Sequence, residues 1–459
     1  MSDITLAVTC LSALLLLPWI GAVLCRRVDV LSPVLLFTIY VFIGYVLPIP
    51  AFLASVDPVS TSWVNDYGDF ERSLRGALWI TIAGVIGFYL GYAATRDLIP
   101  GVRLPVRRQV PRWRDQRLFG MSVLYVASGL LLFSIGVALI GGPTELLFGL
   151  SSRVTLSAGL NYFFYAINLL LVVSLIWWAR ALSEERLPGV PFWIYTASAV
   201  ALAALQGSKI ILFFFTLAMT LVYHVIRRRV SPVRLAALVV VFVPVLSLYA
   251  IYIREYLVLG ELRSIESTEG WLWFLWLLVT REFASNFVQL QALTLVVDRV
   301  PDVLEFQHGQ TLLAMLTIAV PSSWYSEKYL TAPGVFTLAI DPDRWVKEGT
   351  TLPPGLIGEM YMNFGTTGVV LGLACFGAVF GLIRRTVKRR GSDPATAVLY
   401  ALSVAMLAHY IRGEVVSPTV LLLIFALPTL LLLAMALAER RPAPADDRTL
   451  GGAIGETIS

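Results

Sequence analysis

The chain has 459 residues, of which 58% are hydrophobic and only 14% are charged, and its formal net charge is +5 at pH 7. Soluble domains carry about 25% charged residues, so this composition, with a mean hydropathy of +0.78, excludes a soluble globular fold and indicates a polytopic membrane protein. Its apolar runs are continuous for about 20 residues instead of alternating over about 10, which predicts membrane helices and not a barrel.

Eleven apolar stretches have the length and composition of membrane helices. They cover residues 4–24, 31–53, 74–95, 118–140, 160–179, 192–205, 210–226, 235–253, 365–383, 395–410 and 420–438. The first stretch lacks a basic start and a small-residue cleavage site, so we interpret it as a retained helix. The tail, 439–459, contains Pro, Gly and Asp and is predicted to be disordered.

Basic residues are distributed unequally between the two faces of these helices. One face carries 23 of the 35 Lys and Arg residues, and seven of the other 12 lie in one long segment near 254–365. Cytoplasmic loops carry the excess of basic residues, so we predict an extracytoplasmic N-terminus and a cytoplasmic C-terminus. The Arg-rich loop 96–117 is interpreted as a topology signal that contacts anionic lipid, and not as a nucleic-acid site.

The long segment is neither a membrane helix nor a short connector. We divide the chain into helices 1–8 (1–253), an extracytoplasmic lid and active-site loop (254–364), helices 9–11 (365–438) and the tail (439–459). The apolar runs 271–279 and 311–320 are too short to span a bilayer and are typical of interfacial or re-entrant segments. We therefore expect an all-α polytopic protein whose lid of short interfacial helices covers a cavity.

Several cations fall at the outer ends of helices or in outer connectors, where basic residues are usually avoided. They are Arg153, Lys209, Arg254, Arg281 and Arg412. A guanidinium offers a bidentate fork and an ammonium a point charge for a diphosphate or carboxylate. The alternative for each cation is snorkelling, or pairing with a neighbouring acid.

The acids and histidines near these cations are the candidate proton carriers. Glu359 lies where the chain re-enters the membrane, and a carboxylate at such depth is a functional hypothesis by default. The other acids in the outer parts of the chain that lie near a cation are Glu255, Glu282 and Glu414. His308 and His409 could each act as a general base, although a lone histidine is more often structural. His224, beside cytoplasmic arginines, is predicted to be uninvolved.

Motifs for metal or nucleotide chemistry are weak. Asp341-Pro-Asp343 spells the DxD of some nucleotide-sugar transferases, but the same residues form ordinary turns, and we favour the turn. The three cysteines form no CxxC pair, and the chain has no Walker loop, HExxH or GxSxG.

Three stretches resemble motifs of the bacterial oligosaccharide repeat-unit polymerases of the O-antigen polymerase type. Val320-Pro-Ser-Ser-Trp-Tyr-Ser-Glu-Lys328 resembles the family's "IPR-x-LW-x-x-KP". Pro353-Pro-Gly-Leu-Ile-Gly-Glu359, with Asn363-Phe-Gly365, resembles "PP-x-x-x-GE-x-Y-x-NFG". Gln206-Gly-Ser-Lys209 is similar to "GSR". Ser322 and Lys209 stand where the family commonly has Arg, and Tyr329 stands where it has Pro.

The resemblance implies a GT-C-like fold and a glycosyltransferase that needs neither metal nor cofactor. Its partners would be polyprenyl-diphosphate-linked oligosaccharides as donor and acceptor, membrane lipids and a chain-length regulator protein, without nucleic acid. Catalytic candidates are then Glu359, Arg281, Glu282, His308 and Glu255. Binding candidates are Arg153, Lys209, Arg254, Arg281, Lys328, Asn363 and Arg412. A helix N-terminus lowers carboxylate basicity, so we expect Glu359 to position acceptor or arginine more than to abstract a proton.

Three other interpretations remain open from the sequence. An O-antigen ligase would share the lid and the outer cations. A lipid-linked oligosaccharide flippase or transporter would carry charges deep in many spans, whereas here they cluster at the outer rim, and no inverted repeat is visible. A purely structural membrane subunit is the third.

Overall fold

The structure is a computed structural model that describes most of the predicted helical regions. The described residues are 2–26, 28–50, 69–97, 115–148, 160–205, 209–251, 288–318, 320, 324–325, 327–348, 351–390 and 393–436. Within these ranges 82% of residues are helical and none forms a strand. The all-α prediction is therefore confirmed.

The described residues form α-helices joined mostly by short connectors. In chain order they are α1 (Ser2–Leu24), α2 (Pro33–Val41), α3 (Phe70–Asp97), α4 (Asp115–Leu139), α5 (Pro143–Phe148), α6 (Asn161–Tyr165), α7 (Asn168–Ser183), α8 (Val190–Leu205), α9 (Lys209–Ile226), α10 (Pro232–Ile251), α11 (Gln289–Arg299), α12 (Gln310–Thr317), α13 (Ala332–Ile340), α14 (Gly355–Arg390), α15 (Pro394–Ala405), α16 (Leu407–Arg412) and α17 (Val416–Ala436). Single π-helical turns occur at Phe42–Val46 and Arg344–Glu348.

Seven helical stretches in the described ranges are long and apolar enough to cross a bilayer. They are Asp3–Leu24, Phe70–Thr95, Gln116–Leu139, Tyr162–Ser183, Gly355–Arg389, Pro394–Arg412 and Val416–Met435. The protein is therefore an all-α membrane protein. Shorter apolar helices lie at the other four predicted spans, namely Pro33–Val46, Val190–Leu205, Ile210–Ile226 and Pro232–Leu246. That these four also span the bilayer stays a prediction.

Helices α3 and α14 make the most extensive helix–helix contact among the described residues. Glycines bring their backbones together: Gly87 and Gly91 are four residues apart on α3, and Gly377 lies on α14. A Cβ atom built on Gly91 lies 1.8 Å from the carbonyl oxygen of Ala374, and one built on Gly377 lies 2.1 Å from that of Phe88. Small residues at this spacing are typical of membrane helices that pack at backbone distance.

Helix α14 is broken at Gly365, whose φ of 63° and ψ of −158° are non-helical. Glycine adopts such a conformation without a Cβ clash. Residues 355–364 thus form a separate short helix, here called the arm, and 366–390 continue as a long helix. A Cβ atom built on Gly372 lies 2.5 Å from Sδ of Met360, whereas one straight helix would separate these residues by about 18 Å. The arm therefore folds back along the long helix, and the break coincides with the predicted start of the ninth span.

Helix α11 is a buried element of the long segment that no prediction above includes. Leu290, Leu293 and Val296 are buried on it, and it packs against α3 and α14. Near its end, Asp298 Oδ1 accepts a hydrogen bond of 2.8 Å from Ser73 Oγ at the start of α3. The helix therefore anchors the long segment to the membrane helices.

Asp29, between α1 and α2, connects α9 to α14. His224 Nε2 lies 2.8 Å from Oδ1 of Asp29, and Arg384 pairs with Oδ2. Arg384 also donates a hydrogen bond of 3.1 Å to the hydroxyl of Tyr400. Burial raises the pKa of Asp29, but the hydrogen bond from His224 and the charge of Arg384 outweigh it, so the pKa lies below its ordinary value. His224 thus has a structural role in the described residues.

The contact between α3 and α14 predicts a large difference between two glycine substitutions. Gly91→Ala places a methyl group against the Ala374 backbone, which cannot move aside as a side chain can. We expect a loss of about 1–3 kcal/mol or more in the free energy of unfolding, as in overpacked cores. Gly120→Ala is the matched control, because no atom lies within 4 Å of its built Cβ atom. Equal apparent melting temperatures of the two variants in detergent would contradict the packing described here.

Candidate functional site

The carboxylate of Glu359 joins three parts of the chain. Its side chain is fully buried, at 0% exposure. Oε1 accepts a hydrogen bond of 3.1 Å from Thr311 Oγ1 on α12, and Oε2 accepts one of 2.6 Å from the backbone N–H of Val415. Because a buried carboxylate is costly without donors, these two contacts fix the arm against α12 and against the connector 413–415.

Asn363, one turn after Glu359, extends the same network. Its Nδ2 donates to Thr311 Oγ1 at 2.7 Å and to the backbone oxygen of Glu359 at 2.8 Å. Its Oδ1 accepts a hydrogen bond of 2.9 Å from the backbone N–H of Gly309. Both ends of the amide are therefore used, which fixes its orientation. Thr311 links the two predicted site residues, since its hydroxyl donates to one and accepts from the other.

The last carbonyl groups of the arm are bound by the turn that precedes α12. The break at Gly365 leaves these carbonyls without helical partners. The backbone N–H of Gln307 donates to Met362 O at 2.9 Å, and that of His308 donates to Asn363 O at 3.1 Å. His308 has a φ of 46° and Gly309 a φ of 88°, and this left-handed turn leaves the imidazole of His308 exposed.

The start of the arm is held equally closely. The backbone N–H of Gly355 donates to Gly413 O at 3.1 Å. A Cβ atom on Gly355 would lie 3.0 Å from the hydroxyl of Tyr45 and 3.1 Å from Ile411 O, and its φ is 76°. Only glycine fits this backbone conformation and this close contact, so Gly355 fixes where the arm begins.

A second buried carboxyl, that of Glu414, lies beside the first. Its exposure is 3%, and Oε1 accepts a hydrogen bond from Ser417 Oγ. Glu414 directly precedes Val415, and its charge acts on Glu359. Burial raises the pKa of Glu414, and hydrogen bonds from Ser417 offset only part of this effect. Two adjacent buried carboxyls disfavour double ionisation, so a proton held on one of them stabilises the site.

The other predicted site residues are described in part. Arg153, Arg254, Glu255, Arg281 and Glu282 lie outside the described residues, so their roles in binding and catalysis stay predictions. Lys209 is the first residue of α9. Lys328 is half-buried before α13, and half-buried Arg412 ends α16, immediately before the connector 413–415. The structure therefore brings together Glu359, Asn363, the backbone of His308 and the segment that follows Arg412.

Asp341 directly follows α13, and Pro342 and Asp343 are helical and lead into the π-helical turn Arg344–Glu348, so the sequence does not form the ordinary turn that we favoured for it. Asp341 Oδ1 accepts a hydrogen bond of 3.1 Å from the backbone N–H of Arg344, and the Arg344 guanidinium lies 3.9 Å from the same carboxylate. Within the described ranges, no three His, Cys, Asp or Glu side chains are grouped to hold a metal ion.

Thr311 is the residue of this network that sequence analysis does not identify. It begins an apolar run that predicts only an interfacial helix, and its hydrogen-bond partners lie 48 and 52 residues away in the chain. The Val415 N–H is a backbone group, and no side-chain pattern predicts it. The one feature of the sequence that could identify Thr311 is its position in a short apolar run, which places a hydroxyl group close to the membrane.

The chemistry available to the site follows from these contacts. Glu359 is inaccessible, and both of its oxygens already accept hydrogen bonds, so it positions the arm instead of taking a proton from a substrate. The imidazole of His308 is exposed at the end of the arm and is available for proton transfer. No family model, curated protein or solved structure matches this chain.

The network predicts that the Thr311 hydroxyl contributes more to stability than an ordinary helical threonine. Thr311→Val removes the donor to Glu359 and the acceptor of Asn363, which leaves buried polar atoms unsatisfied. We expect a loss of about 1–3 kcal/mol in the free energy of unfolding. Thr317→Val on the same helix is the control, since among the described residues the Thr317 hydroxyl donates to the carbonyl of Ala314, at 3.3 Å, and to no other group. Equal losses in the two variants would show that the network adds nothing.

The raised pKa of Glu414 predicts a pH-dependent gain from Glu414→Gln. Between the ordinary glutamate pKa of about 4.3 and the raised value, the folded protein holds a proton that the unfolded chain has lost. Wild-type stability therefore falls as pH rises through that interval, whereas glutamine cannot ionise. We expect Glu414→Gln to melt higher than wild type at pH 8, with the difference shrinking as the pH falls toward 4.3. Glu145→Gln, at an exposed position, is the control, and a pH-independent difference would contradict the prediction.

Proposed function

We propose that this protein is an integral-membrane glycosyltransferase that polymerises polyprenyl-diphosphate-linked oligosaccharide repeat units. One observation carries the proposal: the segment 353–365, which resembles a motif of the repeat-unit polymerases, contains the arm and the glycine at which it ends. Two of the residues that carry the resemblance, Glu359 and Asn363, occupy the centre of its buried hydrogen-bond network. A segment kept for topology alone would not need a buried carboxylate with dedicated donors.

The proposed setting is the periplasmic face of the bacterial inner membrane. Eleven spans in a GT-C-like arrangement, with the N-terminus periplasmic and the C-terminus cytoplasmic, would place the arm and α12 at that face. The asymmetry of basic residues supports this orientation. Exposed apolar side chains around the arm support an interfacial lid, since Leu316 is 73% exposed and Trp324 is 82% exposed.

The proposed reaction is a displacement at the anomeric carbon of the lipid-linked donor glycan. A sugar hydroxyl of the acceptor forms the new carbon–oxygen bond, the bond to the lipid diphosphate breaks, and the hydroxyl proton passes to a base. His308 is the described candidate for that base, while Glu255 and Glu282 remain rivals. Outer cations, among them Arg412 and Lys328, would neutralise the charge that develops on the diphosphate. No metal or cofactor takes part in this scheme.

The test is polymer formation by the purified protein reconstituted in liposomes with the lipid-linked repeat unit. We expect a ladder of products from wild type. His308→Gln should lower the rate by about 10²–10⁴-fold if His308 is the general base, with no change in melting temperature because its side chain is exposed. Glu359→Gln keeps the shape of the side chain but replaces one of the two oxygens that accept hydrogen bonds from Thr311 and Val415. We therefore expect a slower rate of polymer formation together with a lower melting temperature.

Glu145→Gln, in an exposed helix, is the control for both variants. A single transfer without a ladder would favour a ligase, and movement of the unchanged repeat unit across the bilayer would favour a transporter. Wild-type rates in Glu359→Gln, with normal insertion, would reduce Glu359 to a dispensable packing residue. Wild-type rates in His308→Gln would move the base to one of the two rival glutamates.

A further inference from the structure

A cavity of about 400 Å³ lies where α4 begins and α7 ends, far along the chain from the arm. It is lined by side chains of these helices and of the connector to α8, chiefly Gln116, Phe119, Trp177, Arg180, Arg186 and Leu187. The proposed transferase chemistry assigns no role to these residues. The cavity combines a cationic part with an apolar part. The cationic part suits an anionic group of a ligand, and the apolar part suits a hydrocarbon group of the same ligand.

The cationic part contains two guanidinium groups and one carboxylate. Arg180 is 5% exposed and donates from Nε to Oε1 of Glu184 at 2.9 Å, while Arg186 Nη2 lies 2.7 Å from Oε2 of the same residue. The charge of this trio is therefore positive by one unit. The Arg180 guanidinium also lies over the ring of Trp177, at 5.4 Å from its centroid, which holds it in place. Arginine in a fixed orientation is well suited to recognise phosphate.

The apolar part of the cavity continues onto the exposed surface of α4, a predicted membrane-spanning helix. Phe119 is 48% exposed and Leu187 is 89% exposed at the cavity. Further along α4, Val123 and Leu124 are 45% and 54% exposed, and Val123 follows Phe119 by one helical turn. A ligand with its phosphate in the cavity therefore has a continuous apolar path along α4.

The cavity belongs to the end of the helical bundle that carries most of the cations. Glu185, in the same connector, pairs with Arg227 at the end of α9, at 3.2 Å. His224, one turn earlier on α9, lies in the Asp29 cluster with Arg384 near the end of α14. Arginine-rich ends of membrane helices face the cytoplasmic leaflet, where anionic lipids concentrate.

We propose that this cavity binds the anionic headgroup of a phospholipid. The lipid phosphate would lie against Arg186 and Arg180, and one acyl chain would follow Phe119 along α4. The apolar path favours a lipid over free phosphate, because free phosphate has no hydrocarbon group that could cover the apolar side chains along α4. The proposal does not depend on the proposed transferase activity, since none of these residues belongs to that site.

Glu184 gives the proposal a directional test, because its carboxylate competes with a phosphate for both arginines. The full-length protein in a zwitterionic detergent is titrated with phosphatidylglycerol or with phosphatidylcholine, and bound lipid is counted by native mass spectrometry alongside the melting temperature. We expect wild type to retain phosphatidylglycerol selectively. Arg186→Gln and Phe119→Ala should each lower its apparent affinity by about tenfold, and Glu184→Gln should raise it.

Arg228→Gln is the matched control, since Arg228 is exposed on the same end of the bundle but does not line the cavity. Melting temperatures without added lipid show that each variant is folded. Arg186 is half-exposed, so Arg186→Gln is expected to fold. Glu184→Gln is a second test, because it should change the lipid affinity in the opposite direction. Equal retention of both lipids, or an equal loss in Arg228→Gln, would overturn the site. Stabilisation by inorganic phosphate alone to the same extent would overturn the assignment to a lipid.

Discussion

The contact between α3 and α14 at backbone distance is the constraint on which the rest of the structure depends. With no side chain between Gly91 and the Ala374 carbonyl, residues 366–390 have one position relative to α3. The break at Gly365 then sets the direction of the arm, and so the position of Glu359. At the other end of the same helix, Arg384 reaches Asp29. One glycine-lined contact thus places both the candidate site and the cluster that joins the opposite helix ends.

The candidate site is formed by groups that lie far apart in the sequence, and it is buried because these parts of the chain pack together around Glu359. The Glu359 carboxylate accepts from a side chain on α12 and from a backbone group at Val415, and neither donor is near it in an unfolded chain. A carboxylate buried without such donors would cost several kcal/mol, so the arm, the turn at 307–309 and the connector 413–415 are expected to order together. His308 is then held by its backbone while its imidazole stays exposed, as the proposed general base requires.

Sequence alone predicts the features that depend on local composition. The apolar stretches, and the start of the ninth one at Gly365, follow from hydropathy. The sequence does not predict helix α11, because its apolar residues are interrupted by polar ones within a segment interpreted as a lid. The facing glycines carry a readable signal, the spacing Gly87-x-x-x-Gly91. The partners of Glu359 carry none, since hydrogen bonds across about 50 residues depend on the tertiary fold.

The two ends of the 366–390 helix are favoured at opposite faces of the bilayer, and together they fix the depth of the arm in the membrane. Its 25 residues extend about 37 Å at 1.5 Å each, more than the hydrocarbon thickness of about 30 Å. The arginine-rich end must stay at a headgroup layer, because a guanidinium in hydrocarbon is costly. The break at Gly365, at the other end, therefore lies at the opposite interface, where exposed Trp324 is also favoured, and the arm runs from there back beside the long helix. A lipid held by Arg186 would strengthen this register from the cationic end, so that the depth of Glu359 depends on contacts made a full bilayer away.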